Sequence, residues 1–465
     1  MPGSILSILI LMLLSLTACV PTTAVQAPLE PATQPGAQPV QASQQPPVLL
    51  VNATNRGLLY PVDPASGQAL PDFEPVPVGK AYNYAFSLRA DRLAFVAEGG
   101  QLTLVDLTTW EYEALNLPLP RPAYQVTYSP DGERLAVAGG NRTSSLALID
   151  IGQGTLIAES SLDFLVYQMK FTEDGSGLMV YGSEIQKRFT VNEMSPDPPW
   201  VALMDGSDLS IRWMEALQGV QHGIIPTGSA QEAGELDPVE DLHHSGQAIY
   251  LLPGLAFAPH RDSLYVAHAG DAMLTVVDFS ARQVATHEIH DRMSWIERLL
   301  SIGAGRARAK VAAGTTLRAA ISPDGRSLYV VGQTSTIAEQ AGNETQVQHT
   351  ALGLQVVDTA DGSRRGWYPS DATELSISPD GASLYLRAWG EDQPWTEVFD
   401  IASGQVKARL EGQYAAPVRG MDGRVLLASS QGLPGDNYRC VIIDPGFQAV
   451  WEWTSQGYLS WVSPP

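Results

Sequence analysis

Seven of the eight histidines fall between residues 222 and 290: His222, His243, His244, His260, His268, His287 and His290. Between His222 and His244 stand Glu232, Glu235, Asp237, Glu240 and Asp241, with no lysine or arginine among them. Imidazole beside carboxylate is the donor set of zinc and other divalent ions. His243, His244, Asp241 and Glu240 are therefore the candidates for a metal centre. The spacing is less specific than the composition. No HExxH occurs, and His287-Glu288-Ile289-His290 has helical ligand spacing on what reads as the end of a strand. A solvated acidic loop with scattered histidines is the plainer expectation. Catalytic signatures are missing as well: there is no GxSxG, no phosphate loop, no EF-hand loop and no dinucleotide fingerprint. Cys440 lies in the apolar run Arg439-Cys440-Val441-Ile442, the setting of an inert core thiol. No cofactor is expected, a divalent ion being the alternative, and a binding module is favoured over an enzyme.

A second candidate chemistry is stacking. Six of the ten tryptophans lie after residue 366, and Trp389 and Trp395 are candidates for a ligand platform, a glycan being the natural occupant of exposed indoles. The competing use of such residues is packing between sheets. The charge balance narrows the partners: 28 basic against 50 acidic residues give −22, which argues against a track for nucleic-acid phosphates.

The elements that must position these residues come from a repeat. An apolar strand leads into Ser322-Pro323-Asp324-Gly325, then Leu328-Tyr329-Val330-Val331, then a third strand ending Val357-Asp358, then a turn and a fourth strand. The same grammar recurs at Ser129-Pro130-Asp131-Gly132 and Ser378-Pro379-Asp380-Gly381. Third strands end on Asp63, Asp106, Asp150, Asp205, Asp278, Asp358, Asp400 and Asp444. Each carboxylate is placed to cap a turn by accepting backbone N–H groups. The spacing predicts an all-β chain, a β-propeller of four-stranded antiparallel blades over 48–465, with eight blades favoured and seven as the alternative. Residues 48–78 lack a first strand and 458–464 supply one, so the two ends should close one composite blade and leave no open sheet edge. First-strand residues that would line the central opening include Lys170, Arg318, Glu374 and Arg419.

Leu328-Tyr329-Val330-Val331 and Leu264-Tyr265-Val266-Ala267, each followed by a Val-Asp strand end, resemble the bacterial YVTN-type β-propeller repeats, relatives of WD repeats. The resemblance implies a propeller and little about activity, because such folds host unrelated functions. At the other end of the chain, Leu16-Thr17-Ala18-Cys19 follows a short apolar run and resembles the lipobox of bacterial lipoprotein signal peptides. That resemblance implies a signal peptide over 1–18, lipidation of Cys19, export, and attachment to a membrane of the cell envelope. Residues 19–47, rich in Pro, Gln and Ala, read as a disordered tether.

Four insertions interrupt the repeat, at 183–198, 218–250, 291–315 and 333–350. Turns alternate between the two faces of a propeller, and by that parity all four insertions share one face. Long loops on a rigid scaffold are where binding residues concentrate. Within 291–315, Met293, Ile296, Leu299, Leu300 and Ile302 have helical spacing beside five basic residues, which predicts a short amphipathic helix. The expected function is a tethered binding or scaffold module for a protein or glycan partner, with His222, His243, His244, His268, His290, Trp389 and Trp395 as binding candidates. The alternative is a propeller enzyme of the lactonase-like hydrolase class, with histidines and acids meeting near the central opening.

Overall fold

The computed structural model describes residues 49–53, 57–62, 73–79, 81–87, 91–97, 100–140, 143–183, 198–226, 248–291, 313–339, 345–378, 380–390, 393–419, 425–433, 437–444, 446–456 and 459–462. Its described regular elements are strands. Seven sheets are four-stranded antiparallel blades arranged in a ring, a β-propeller. In the closing blade the C-terminal strand Leu459–Val462 pairs with Leu49–Ala53, followed by Leu58–Val62 and Val76–Pro77. Blades 1 to 6 span 81–115, 123–162, 165–216, 254–288, 374–411 and 415–456. In each of these the chain runs outward strand by strand.

The expectation of eight four-stranded blades is one too many. The repeat that reads most clearly in the sequence, 317–369, is not a separate four-stranded sheet. Its strands Ala313–Ile321, Ser327–Glu339, Leu354–Asp358 and Ser363–Tyr368 are the middle of an eight-stranded sheet between blades 4 and 5. Gly223–Pro226 and Ala248–Leu252 add to one side of it, His290–Asp291 to the other, and Thr345–Ala351 pairs with the far end of Ser327–Glu339. The physical reason is that the insertions are themselves strand-forming. Their backbone groups find partners on the nearest strand edges rather than in water.

Burial follows position within the blade. Second and third strands are covered on both faces, as in Gly177–Ser183, where every residue is buried. Fourth strands alternate, as in Thr155–Leu162, because only one face meets a neighbour. The core therefore lies between blades: Leu146 and Leu148 of blade 2 pack with Val166, Phe171, Leu178 and Met204 of blade 3.

The predicted turn chemistry is present. Ser322 Oγ donates to Asp324 Oδ1 (2.5 Å), which also accepts the Arg326 N–H (3.0 Å), while the Ser327 N–H donates to Ser322 Oγ (2.9 Å). The set repeats at Ser378 and Asp380 and, with threonine, at Thr172 and Asp174. Third-strand aspartates cap as expected: Asp106, Asp150, Asp205, Asp278, Asp358, Asp400 and Asp444 each accept a backbone N–H two to four residues on.

Candidate binding face

First strands stand side by side around the central axis, so equivalent register positions on them form a level of the opening. Arg318 faces Val331, and Glu374 faces Arg387. Each partner is four residues beyond the one opposite the third-strand aspartate (Ser327 opposite Asp358, Ser383 opposite Asp400). By the same count Asn83, Gln125 and Gln168, opposite Val96, Ala138 and Tyr181, share that level in blades 1 to 3. All three follow a β-bulge whose extra residue is a tyrosine: Tyr82, Tyr124 and Tyr167. A bulge re-aims the side chains that follow it. One arc of the level thus carries the carboxamides of Gln125 and Gln168, and the other carries charge.

The charged arc continues into an aromatic cluster. Trp389 ends the second strand Ser383–Trp389 of blade 5 and is 68% exposed. Its indole stacks on Tyr414 at 5.5 Å between ring centroids with 29° between planes. Tyr414 lies just before the first strand Ala415–Arg419 of blade 6, with the Glu374 carboxylate near its hydroxyl. Burial, then the adjacent Glu374 carboxylate, pushes the Tyr414 phenol well above its usual range. The Arg387 guanidinium sits 5.2 Å over the Tyr414 ring and 3.6 Å from Glu374. That separation exceeds hydrogen-bond length, and the buried Arg387 Nε has no hydrogen-bond partner. The cluster offers one free indole face and an under-filled set of charged donors.

A different group closes the opposite arc. His222 is 3% exposed, shares a hydrogen bond with the Tyr181 hydroxyl through Nδ1 (3.0 Å), and lies 4.3 Å from the Tyr167 ring. Burial drives its imidazole down to about 3, so the ring is neutral and structural. His268 is buried too, its Nε2 hydrogen-bonded to Thr275 Oγ1 at 2.7 Å. His290 is exposed on the strand that pairs with Ser363–Tyr368 and donates Nδ1–H to the Glu288 carbonyl (3.0 Å). Three histidine candidates therefore stand apart, and among the described residues no three His, Cys, Asp or Glu side chains meet as a metal site would require. His243, His244, Glu240 and Asp241 lie outside the described residues, as do Cys19, the 1–47 segment and residues 292–312 of the expected helix.

Two further expectations change. Trp395 is 4% exposed and packs with Leu384, Leu386 and Phe399, with Arg409 over its ring at 4.4 Å. Its strand is the third of blade 5, covered on both faces, so it is core rather than platform. Lys170 donates Nζ–H to the Ala258 carbonyl of blade 4 (2.7 Å), so it ties two blades together instead of standing free in the opening, and burial lowers its pKa. Arg318 is exposed at the opening. Arg419 lies in a first strand, its side chain outside the described set.

Parity places the insertions together, and the register joins them. Leu251 and Leu252 pair in parallel with Thr315 and Thr316, which pair with Thr334 and Gln333. Those residues in turn face Thr350 and Ala351. Segments of three insertions thus form one accessory sheet on one face. Ser183 donates Oγ–H to the His222 carbonyl (3.5 Å), which brings the edge of the fourth insertion alongside. Trp389, at the end of a second strand, and Tyr414, in an inter-blade connection, belong to this face as well.

No family model matches the chain, and no curated protein matches it. Among solved structures the chain is similar to dihydro-heme d1 dehydrogenase NirN in complex with DHE, at TM-score 0.55 and 13% identity over 93% of this chain and 78% of that one. The fold is a β-propeller. At that identity the likeness speaks to the fold alone. The β-propeller domain of Cps50 (Swd1) of Myceliophteria thermophila aligns at TM-score 0.42 and 15% identity, over 76% of this chain and 92% of that one.

Proposed function

We propose that this protein is an exported, lipid-anchored β-propeller that holds a partner on its insertion-bearing face. The lipobox-like Leu16-Thr17-Ala18-Cys19 and the polar 19–47 segment support the tether. The accessory sheet supports the face: strands from 223–226, 248–252, 313–316 and 345–351 are fused there into one rigid surface beside the opening. That fusion carries the reading, because a propeller needs none of these strands to close its ring. A scaffold of buried blades with one elaborated face is the usual arrangement of a binding domain.

The test is to replace 227–247 by Asn-Gly. Pro226 already pairs with Ala248, so a two-residue turn closes the hairpin without disturbing its register. The variant should fold as the wild type and lose its partner from a pull-down of the cell envelope. An unchanged partner set would refute the assignment of this face.

A further inference from the structure

We propose that the Trp389–Tyr414 cluster is a saccharide subsite; this deepens the reading of the insertion face as the recognition surface and rests on it. Three observations converge. Trp389 is held flat by Tyr414 on one side and is 68% exposed. An indole fixed in this way presents a rigid apolar plane of the size of a pyranose ring, at little cost in side-chain entropy. Beside it, Arg387 keeps its Nε unpartnered and meets Glu374 only at 3.6 Å. The Nε itself is sealed from solvent, so what a ligand can meet is the loosely held Arg387–Glu374 pair rather than that atom. Across the opening at the same level stand Gln125 and Gln168, half-buried, neither amide bonded to another described side chain.

The chemistry of the set selects the ligand. Guanidinium, carboxylate and carboxamide are planar groups that donate or accept through two atoms, which matches vicinal hydroxyls. With Arg318 and Arg387 against Glu374, the local balance is +1 in a chain of −22. The site therefore tolerates a neutral or weakly acidic sugar and holds no concentrated positive charge for a polyanion. An aromatic plane bordered by a few oriented polar groups is the general composition of a small-ligand site.

The experiment titrates the purified full chain with four defined probes by calorimetry: cellohexaose, chitohexaose, maltohexaose and mannohexaose. At least one should bind with a dissociation constant below about 1 mM. Trp389→Ala should weaken it at least tenfold, Trp389→Phe should restore part of the loss, and Arg387→Lys should weaken it while keeping the charge. Melting temperature of the Trp389 variants should stay at the wild-type value, since the side chain is exposed. Binding by none of the four, or equal binding by Trp389→Ala, overturns the subsite. If no probe binds and the Asn-Gly variant still loses its envelope partner, the saccharide assignment falls and the face reading stands. If a probe binds through Trp389 and that variant keeps its partner, the subsite stands and the partner uses another surface.

Discussion

Trp461 lies opposite Val51 in antiparallel register, 410 residues apart along the chain and adjacent in one sheet. The C-terminal strand is the inner strand of a blade whose other three strands come from the start of the propeller. Without it, Leu50–Ala53 would present an unpaired edge, and the blade would lose the strand nearest the axis.

Removing 459–465 should therefore destabilise the whole ring. We expect a fall in melting temperature of more than about 10 °C, or aggregation, since several backbone pairs and an inter-blade packing surface are lost together. Removing 20–47 should leave the melting temperature unchanged. Equal melting of the C-terminal truncation and the wild type, by calorimetry, would contradict the composite blade.

The Asp-Gly turns offer a sharper comparison. Gly325 and Gly381 occupy equivalent turns with φ of 71° and 69°, a region where an L side chain costs roughly 1 kcal/mol. A Cβ on Gly325 would meet nothing within 4 Å, whereas one on Gly381 would sit 2.6 Å from Pro323 Cγ in the neighbouring unit. Gly325→Ala should cost about 1 kcal/mol and Gly381→Ala clearly more, because the ring of Pro323 must shift. Urea unfolding of the two variants decides the order; equal losses would mean that the turns do not pack against each other.

Much of this was legible in the residue pattern. Ser-Pro-Asp-Gly and the strand-ending aspartates predicted turns that the hydrogen bonds reproduce, and the lone strand at 458–464 predicted closure. Position 317–369 misled because a strand pattern records that a segment pairs, not how many other strands join it. Arg387 and Tyr414 were missed for a related reason. They meet only across two blades, Arg387 on a second strand of one and Tyr414 just before the first strand of the next. One signal was present and unused: Ala81-Tyr82-Asn83, Ala123-Tyr124-Gln125 and Val166-Tyr167-Gln168 mark three equivalent bulges. Trp395 and Trp389 have the same residue type six positions apart, and only the strand that each occupies separates core from surface.

Acid should weaken the fold in two stages. His222 is held neutral by burial, its pKa about 3, whereas an unfolded histidine titrates near 6.5. The unfolded chain thus binds the extra proton first, so this contribution is complete above pH ~6.5 and is lost as pH falls toward 3. From pH 6.5 to 4.5 the loss is about 2–3 kcal/mol. Below pH ~4 the turn carboxylates add to it: hydrogen bonds from Ser207 hold Asp205 near 2, and those from Ser322 and Ser378 lower Asp324 and Asp380. Their folded pKa values are depressed, so their stabilisation is present above the ordinary carboxylate range and disappears below it. His222→Gln should flatten the stability–pH line between 6.5 and 4.5 in urea titrations; a line parallel to the wild type would contradict the burial argument.

In the proposed lipid-anchored form, attachment rests on Cys19 alone. Cys19→Ala should move the protein from the membrane fraction to the soluble extracytoplasmic fraction. Retention in washed membranes after that change would shift attention to the basic segment 292–312 as the contact.

The face assignment is tested most directly by a hydrogen-exchange footprint of the full chain with and without a detergent extract of its own envelope. Slowed exchange should fall on 223–226, 248–252, 313–316, 345–351, 389–390 and 412–414, which register and strand parity gather on one face. Protection confined to the opposite turns at 129–132, 322–325 and 378–381 would contradict the account.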